Sequence, residues 1–421
     1  MIESSRLVHR IKPFPKSVGL TPLPRNRFLY RRRTRLALIW LIGASVAVGY
    51  VVLVAAWEAA QDPWTHFSDL VVPRAMDVLV AGWLFFVGSS IGSFLNVVAW
   101  RMPRGASVNG RSHCPWCDQT LSWKDNWPVF GWLALGGRCR TCRLPISPRY
   151  PIVELAVGLC VFWVGWREFF GGGATLPFHP AQHGRVGTLW TPYLTTATMT
   201  TMGYHILAVS IAWAFALVRF DGHRLPRSLV SISLGLLVVP MLVWPGLAVV
   251  PWHVTMDELW RADGQYLDAL MRVVTGAAAA VVVGRSLARY LSPTADPKLD
   301  PLGKGTGRLM DLVAILLVPG IVVGWQATLA VAVLASLLAV VMGTWLSRST
   351  DSLGRFGIAI AIALTTQIAL WRLLHQFALW PSVGTAPLVT LTWAAAVLVV
   401  ARGLKETPAQ ASVTAAPREL E

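Results

Sequence analysis

Apolar runs of roughly 20 residues, parted by short polar stretches, recur along the chain, and each is long enough to cross a bilayer as an α-helix. The pattern predicts spans near 36–57, 78–100, 151–169, 197–219, 228–250, 269–290, 309–326, 327–346, 356–374 and 384–401. The stretch 309–346 is one continuous run, divided by a turn at Gly324-Trp325-Gln326. The longest polar insertion is 101–150, and no polar segment is long enough for a large second domain. The expected fold is an all-α polytopic integral membrane protein of about ten transmembrane helices. The first apolar run begins near Leu36, too deep for a cleaved signal peptide, and reads as a retained helix.

Composition agrees with that pattern. The 421 residues are 54% hydrophobic and 14% charged, against roughly a quarter charged in soluble domains. The 21 tryptophans suit lipid–water interfaces. Abundant Leu, Val and Ile, with no Gly-X-Y period, exclude a disordered or collagenous chain. The net charge of +16 would suggest nucleic acid in a soluble protein. Its distribution points elsewhere. Segment 1–35 carries ten Lys and Arg and one acid, and 101–150 carries eight bases and two acids. Segment 58–77 carries one base and four acids, and 251–268 likewise. Basic residues gather on the cytoplasmic side, which places both termini, 101–150, 219–227 and 291–308 there. The expected partner is the lipid bilayer, with no nucleic acid. The basic arm reads mainly as a topology signal, with lipid contact as the lesser alternative.

Four of the five cysteines form two pairs, Cys114-Pro115-Trp116-Cys117 and Cys139-Arg140-Thr141-Cys142. Two Cys-x-x-Cys turns close a tetrahedral four-thiolate zinc site. The alternative, two disulfides, requires an oxidising compartment, whereas the charge pattern puts this loop in the reducing cytoplasm. The expectation is a small zinc-ribbon-like loop holding structural zinc through Cys114, Cys117, Cys139 and Cys142, with His113 a neighbour and Cys160 a packed side chain.

The residues around this loop resemble the amino-terminal half of the bacterial prepilin peptidases. The likeness rests on Gly92-Ser93-Phe94-Leu95-Asn96-Val97-Val98 with Arg101-Met102-Pro103, on Asp125-Asn126-Trp127-Pro128 leading through Gly131 to Arg138, and on Ile146-Ser147-Pro148-Arg149-Tyr150-Pro151-Ile152-Val153-Glu154-Leu155. It runs from about 88 to 158. The resemblance implies an aspartic endopeptidase of the bacterial inner membrane that removes the leader of type IV prepilins or pseudopilins at the cytoplasmic face. Many members also methylate the new amino terminus with S-adenosylmethionine. It implies substrate or methyl-donor contacts for Asn96, Arg149 and Glu154. It also divides the chain: a basic arm at 1–35, an extra helix and outer loop at 36–77, the amino-terminal region at 78–158, the peptidase-half bundle at 159–402 and a disordered tail at 403–421.

Aspartic proteolysis needs two carboxyls that share a proton. In the resembled family the first aspartate precedes a Leu-Pro by seven residues, and the second stands in Gly-x-Gly-Asp-x-Lys. Here Arg219-Phe220-Asp221-Gly222-His223-Arg224-Leu225-Pro226 puts Arg219 at the first place unless a two-residue deletion restores Asp221. In Gly303-Lys304-Gly305-Thr306-Gly307-Arg308-Leu309-Met310-Asp311, Arg308 occupies the second place, and Asp311 follows three residues later. Asp221 also suits a loop acid paired with Arg219, Arg224 or Arg227, and Asp311 a first-turn acid of its helix. Three readings stay open: a peptidase with a relocated Asp221–Asp311 dyad, a relative that keeps only pilin binding or methyl transfer, and an unrelated zinc-binding membrane scaffold.

Overall fold

Each expected span is a helix in the computed structural model, which describes residues 25–61, 63–114, 116–178, 183–186, 189–192, 195–252, 264–291, 304–345 and 351–404. Most of the basic arm, Gly303 of the glycine run and the tail beyond Leu404 lie outside the described residues.

In chain order the helices are α1 (Arg25–Gln61), α2 (Phe67–Arg101), α3 (Phe130–Leu135), α4 (Arg149–Gly165), α5 (Thr196–Phe220), α6 (Arg227–Val243), α7 (Gly264–Leu291), α8 (Lys304–Val323), α9 (Trp325–Trp345), α10 (Ser352–Ala369), α11 (Trp371–Gln376) and α12 (Pro387–Val400). A π-helical turn, Trp166–Phe170, extends α4. A short antiparallel hairpin pairs β1 (His183–Val186) with β2 (Leu189–Pro192). Eight helices are long and apolar enough to cross a membrane, and α6 is a shorter apolar helix.

Local chemistry sets the boundaries. The Thr195 hydroxyl accepts the Thr198 amide at 3.2 Å and opens α5, and the Asp351 carboxylate accepts the Leu353 amide at 3.2 Å and opens α10, each as an N-cap. Helix α6 carries Pro240 within it and stops at Val243, short of the expected 250, where Trp244 leaves the helical region before Pro245. The expected turn in 309–346 narrows to Gly324 alone, whose φ of +85° carries the chain from α8 into α9.

Ion pairs and buried contacts define two ends of the bundle. Arg149 at the start of α4, Asp221 after α5, Asp311 early in α8 and Asp351 before α10 gather at the end that bears the cysteine loop. At the far end, Arg167 Nε donates to the Ala369 carbonyl closing α10, and Arg372 donates to the Leu176 carbonyl through Nε at 3.1 Å and Nη2 at 2.6 Å. Between them Val157, Phe215, Leu217, Leu312, Leu316, Phe356 and Leu364, from α4, α5, α8 and α10, are fully buried.

Helices α2 and α4 approach closely at Gly92, where a Cβ would stand 2.9 Å from the Glu154 Cα. The extra helix α1 is pinned to α2 by Arg74, which holds Glu58 at 2.9 Å and Asp77 at 2.5 Å. Nearer the cysteine loop, Trp40 of α1 packs on Trp127 with ring centroids 6.1 Å apart.

Candidate functional site

The two Cys-x-x-Cys segments fold as a matched pair of turns. The Cys114 amide donates to the Gln119 carbonyl and the Asp118 amide to the Cys114 carbonyl; the Cys139 amide donates to the Leu144 carbonyl and the Arg143 amide to the Cys139 carbonyl. Asp118 and Arg143, each just after the second cysteine, have φ of 56° and 65°. Isolated bridges at His113–Thr120 and Arg138–Pro145 close the two turns at the same offsets. This near-twofold repeat aims four sulfurs at one point. All four lie within 4.8 Å of one another, with Cys114–Cys142 at 3.8 Å and Cys117–Cys139 at 4.0 Å. A tetrahedron of thiolates around a metal at about 2.3 Å has edges of about 3.8 Å, so the sulfurs are spaced for a shared ion. All are free thiols rather than disulfides.

Burial pushes the Cys142 thiol up to about 12 and raises Cys114. At Cys139 the amides of Cys142 and Thr141 overcome the effect of burial and bring the thiol to about 7. One thiolate is therefore accessible near neutral pH, and metal binding would displace the remaining protons. His113 lies 3.7 Å from Asp118 and outside the sulfur cluster. Cys160 lies on α4, partly buried against the core.

Side chains singled out in the sequence tie this loop to the bundle. Glu154 accepts the Val129 amide at 2.7 Å, which holds Val129 at a φ of +60°, a costly conformation for a β-branched residue. Asn96 donates to the Tyr150 carbonyl at 3.4 Å, while its buried Oδ1 has no partner among the described residues. Asp125 anchors the second cysteine turn through Arg140, whose Nε lies 2.7 Å away. Arg149 grips Asp221 with both terminal nitrogens, at 2.7 Å and 2.8 Å.

The two candidate carboxyls take different partners. Asp221 is taken up by Arg149, not by Arg219, Arg224 or Arg227. Asp311 lies about two turns into α8 rather than in its first turn, and accepts Arg219 at 3.1 Å and the Leu225 amide at 3.4 Å. Arg219 is a buried hub: its second terminal nitrogen reaches Asp351 at 2.5 Å. Arg308 meets the other oxygen of Asp351 at 2.6 Å and donates through Nε to the Leu291 carbonyl at 2.7 Å. The four side chains form a chain of alternating charge, Asp311–Arg219–Asp351–Arg308, across α5, α8 and the start of α10. Asp351 was not legible as a partner in the sequence; its only local signal is an N-cap position.

The comparisons with known proteins follow this geometry. Residues 86–168 match the profile of the bacterial peptidase A24 N-terminal domain. The chain is 37% identical over 216 residues to a prepilin leader peptidase/N-methyltransferase of Myxococcus xanthus, a match covering 49% of this chain and 58% of that protein. Residues 86–168 belong to the prepilin peptidase family. A prepilin leader peptidase/N-methyltransferase of Stutzerimonas stutzeri is 30% identical over 222 residues, covering 45% of this chain and 64% of the relative. A type 4 prepilin-like proteins leader peptide-processing enzyme of Escherichia coli is 44% identical over 106 residues, covering 21% and 38%. The chain thus spans from about two fifths to under two thirds of these relatives. No solved structure matches. The profile match contains the four cysteines, Asn96, Arg149 and Glu154, and stops short of Arg219, Arg308, Asp221, Asp311 and Asp351.

At the far end, His205 and Glu168 form a buried pair. The His205 Nδ1 lies 2.6 Å from Glu168 of the π-helical turn, and both side chains are fully buried.

Proposed function

We propose that this protein is a prepilin-peptidase relative of the bacterial inner membrane that has lost aspartic proteolysis and keeps the chemistry of its amino-terminal half. It receives pilin-like segments at the cytoplasmic face, beside a structural zinc site formed by Cys114, Cys117, Cys139 and Cys142. The activity retained is N-methylation of a pilin amino terminus, with S-adenosylmethionine as the methyl source.

The observation that carries this reading is Arg219 and Arg308 at the two places where the resembled family carries aspartate. A proteolytic dyad needs two adjacent carboxyls and one shared proton between them. Guanidinium groups favour the ionised form of any carboxylate beside them. Here they also occupy that space and bind Asp311 and Asp351 in a closed network. Asp221, the remaining candidate, faces Arg149 instead of a second carboxyl. The printed names of the relatives join peptidase to methyltransferase, and the family profile matches residues 86–168, which hold the cysteine loop.

One observation favours the competing reading of a relocated dyad. Burial raises the Asp221 carboxyl above the ordinary range despite Arg149, His223 and Arg104, which favours an acid that takes part in proton transfer. The test separates the two readings. Purified protein is given a pilin already lacking its leader together with methyl-labelled S-adenosylmethionine, and in parallel an intact prepilin. Label at the pilin amino terminus, lost in Cys139→Ser, with the prepilin left whole, is the expected result. Prepilin cleavage that disappears in both Asp221→Asn and Asp311→Asn would establish the dyad instead.

A further inference from the structure

Arg272, near the start of α7 at the far end of the bundle, is 2% exposed, and a guanidinium stays charged inside a protein. All three of its hydrogen bonds among the described residues go to main-chain carbonyls. Nε donates to Ile321 at 3.4 Å and Nη2 to Val322 at 2.8 Å, both in the last turn of α8, and Nη1 donates to Val250. A guanidinium has five N–H groups, so two are left over. Asp268, one turn earlier on α7, gives its carboxylate to the Trp252 amide at 2.7 Å instead. The arginine therefore keeps a full charge against neutral partners, a costly state in a fold and more so at membrane depth.

The same guanidinium lines a cavity of about 10 Å³, room for one occupant the size of a water molecule. Gly324, Trp325 and Gln326, where α9 opens, form another wall. A Cβ at Gly324 would stand 3.6 Å from the guanidinium carbon, so the cation abuts the joint between α8 and α9. The opening amides of a helix have no carbonyl four residues back in their own helix, and they form its positive end. Trp371 and Ser382 also line the space; an indole N–H only donates, and a hydroxyl can donate. No acidic side chain lines it among the described residues.

These walls select the occupant. A cation is repelled by Arg272 and by the α9 terminus. A phosphate or a carboxylic acid exceeds the volume. A water molecule fits but leaves the charge unmatched. We propose that Arg272, the amino-terminal turn of α9 and Ser382 enclose a binding site for one small inorganic anion of chloride size. The anion supplies the counter-charge that Arg272 lacks, and ties α7, the α8–α9 joint and the segment after α11 together. The site is separate from the cysteine loop and independent of whether the protein cleaves or methylates pilins.

The test is the melting temperature of the full chain in mild detergent, titrated with sodium chloride replacing sodium gluconate at constant ionic strength. Chloride is expected to raise it saturably, by about 2–4 °C, and bromide should act alike. Arg272→Met should abolish the chloride dependence. Gln326→Glu, which brings a carboxylate to the same helix end, should also abolish it, with a melting temperature in gluconate close to that of wild type in chloride. Where Arg272→Met does not fold, Gln326→Glu decides alone. Equal melting temperatures of wild type in the two salts would overturn the site and leave a water in the cavity. A chloride response of wild-type size in Gln326→Glu would also overturn it, as a general salt effect.

Discussion

Arg219 is the residue on which most of the carboxyl-terminal half turns. Its side chain is 5% exposed and serves two carboxylates on different helices. Removing one partner of a buried ion pair leaves an uncompensated charge and costs roughly 3–5 kcal/mol, whereas replacing the whole group with apolar residues can be nearly neutral. Arg219→Met is therefore expected to lower the melting temperature in detergent sharply. Adding Asp311→Leu and Asp351→Asn should recover part of the loss. A single variant as stable as wild type would mean that the network carries no such strain. Asp221 behaves differently, because its raised carboxyl binds a proton more tightly in the folded protein. The stability it contributes is complete below the ordinary carboxylate pKa and is lost as pH rises through the raised value. The melting temperature of wild type relative to Asp221→Asn should fall as pH rises above the ordinary carboxylate pKa of about 4. A difference that does not change with pH would contradict that assignment. Neither behaviour is visible in the sequence, where Arg219 and Asp221 are two residues apart and look like partners. In the fold Arg219 points into the bundle and Asp221 turns back to Arg149, a residue 72 positions earlier.

At the scale of elements, what depends on neighbours in sequence was readable and what depends on distant chain was not. The cysteine pairs announced themselves because each turn supplies its two ligands from one short segment, and the second turn repeats the hydrogen bonds of the first. Zinc analysis of freshly reduced protein should find one ion per chain, reduced in Cys114→Ser and Cys142→Ser. Protein with no stoichiometric metal would remove the site. The α2–α4 contact was legible only as a resemblance, and its physical basis is the absence of a side chain at Gly92. Gly92→Leu would place atoms where the Glu154 backbone already stands. It should cost on the order of 1–3 kcal/mol and free Val129 from its strained conformation, read as faster hydrogen exchange at the Val129 amide. Unchanged exchange there would show that Glu154 holds its place without the close helix contact. Helix α6 shows the converse limit. Hydropathy extended it to 250, but the chain leaves the helix at Trp244, because the residue before a proline, here Pro245, is disfavoured in the helical region whatever its hydropathy.

For the whole molecule, hydropathy alone indicated the helical bundle, since length and apolarity are what a bilayer requires of a helix. Function was legible in one half. There the resemblance is met by the family profile over residues 86–168, and the four cysteines come together in the fold. In the other half spacing survives while charge is inverted, and only the fold shows how the inversion is balanced: Asp351, from a later helix, neutralises the arginines standing in place of aspartates. On the proposed reading, a positive charge at both places where the resembled family carries aspartate, each met by a buried aspartate, makes a structural joint rather than a proteolytic centre. The most direct test is the intact mass of a prepilin incubated with the reconstituted protein. The account predicts that the prepilin keeps the mass of its leader at all times and at every pH between about 5 and 8. A product shortened by the leader, formed by wild type and absent with Asp221→Asn, would contradict it.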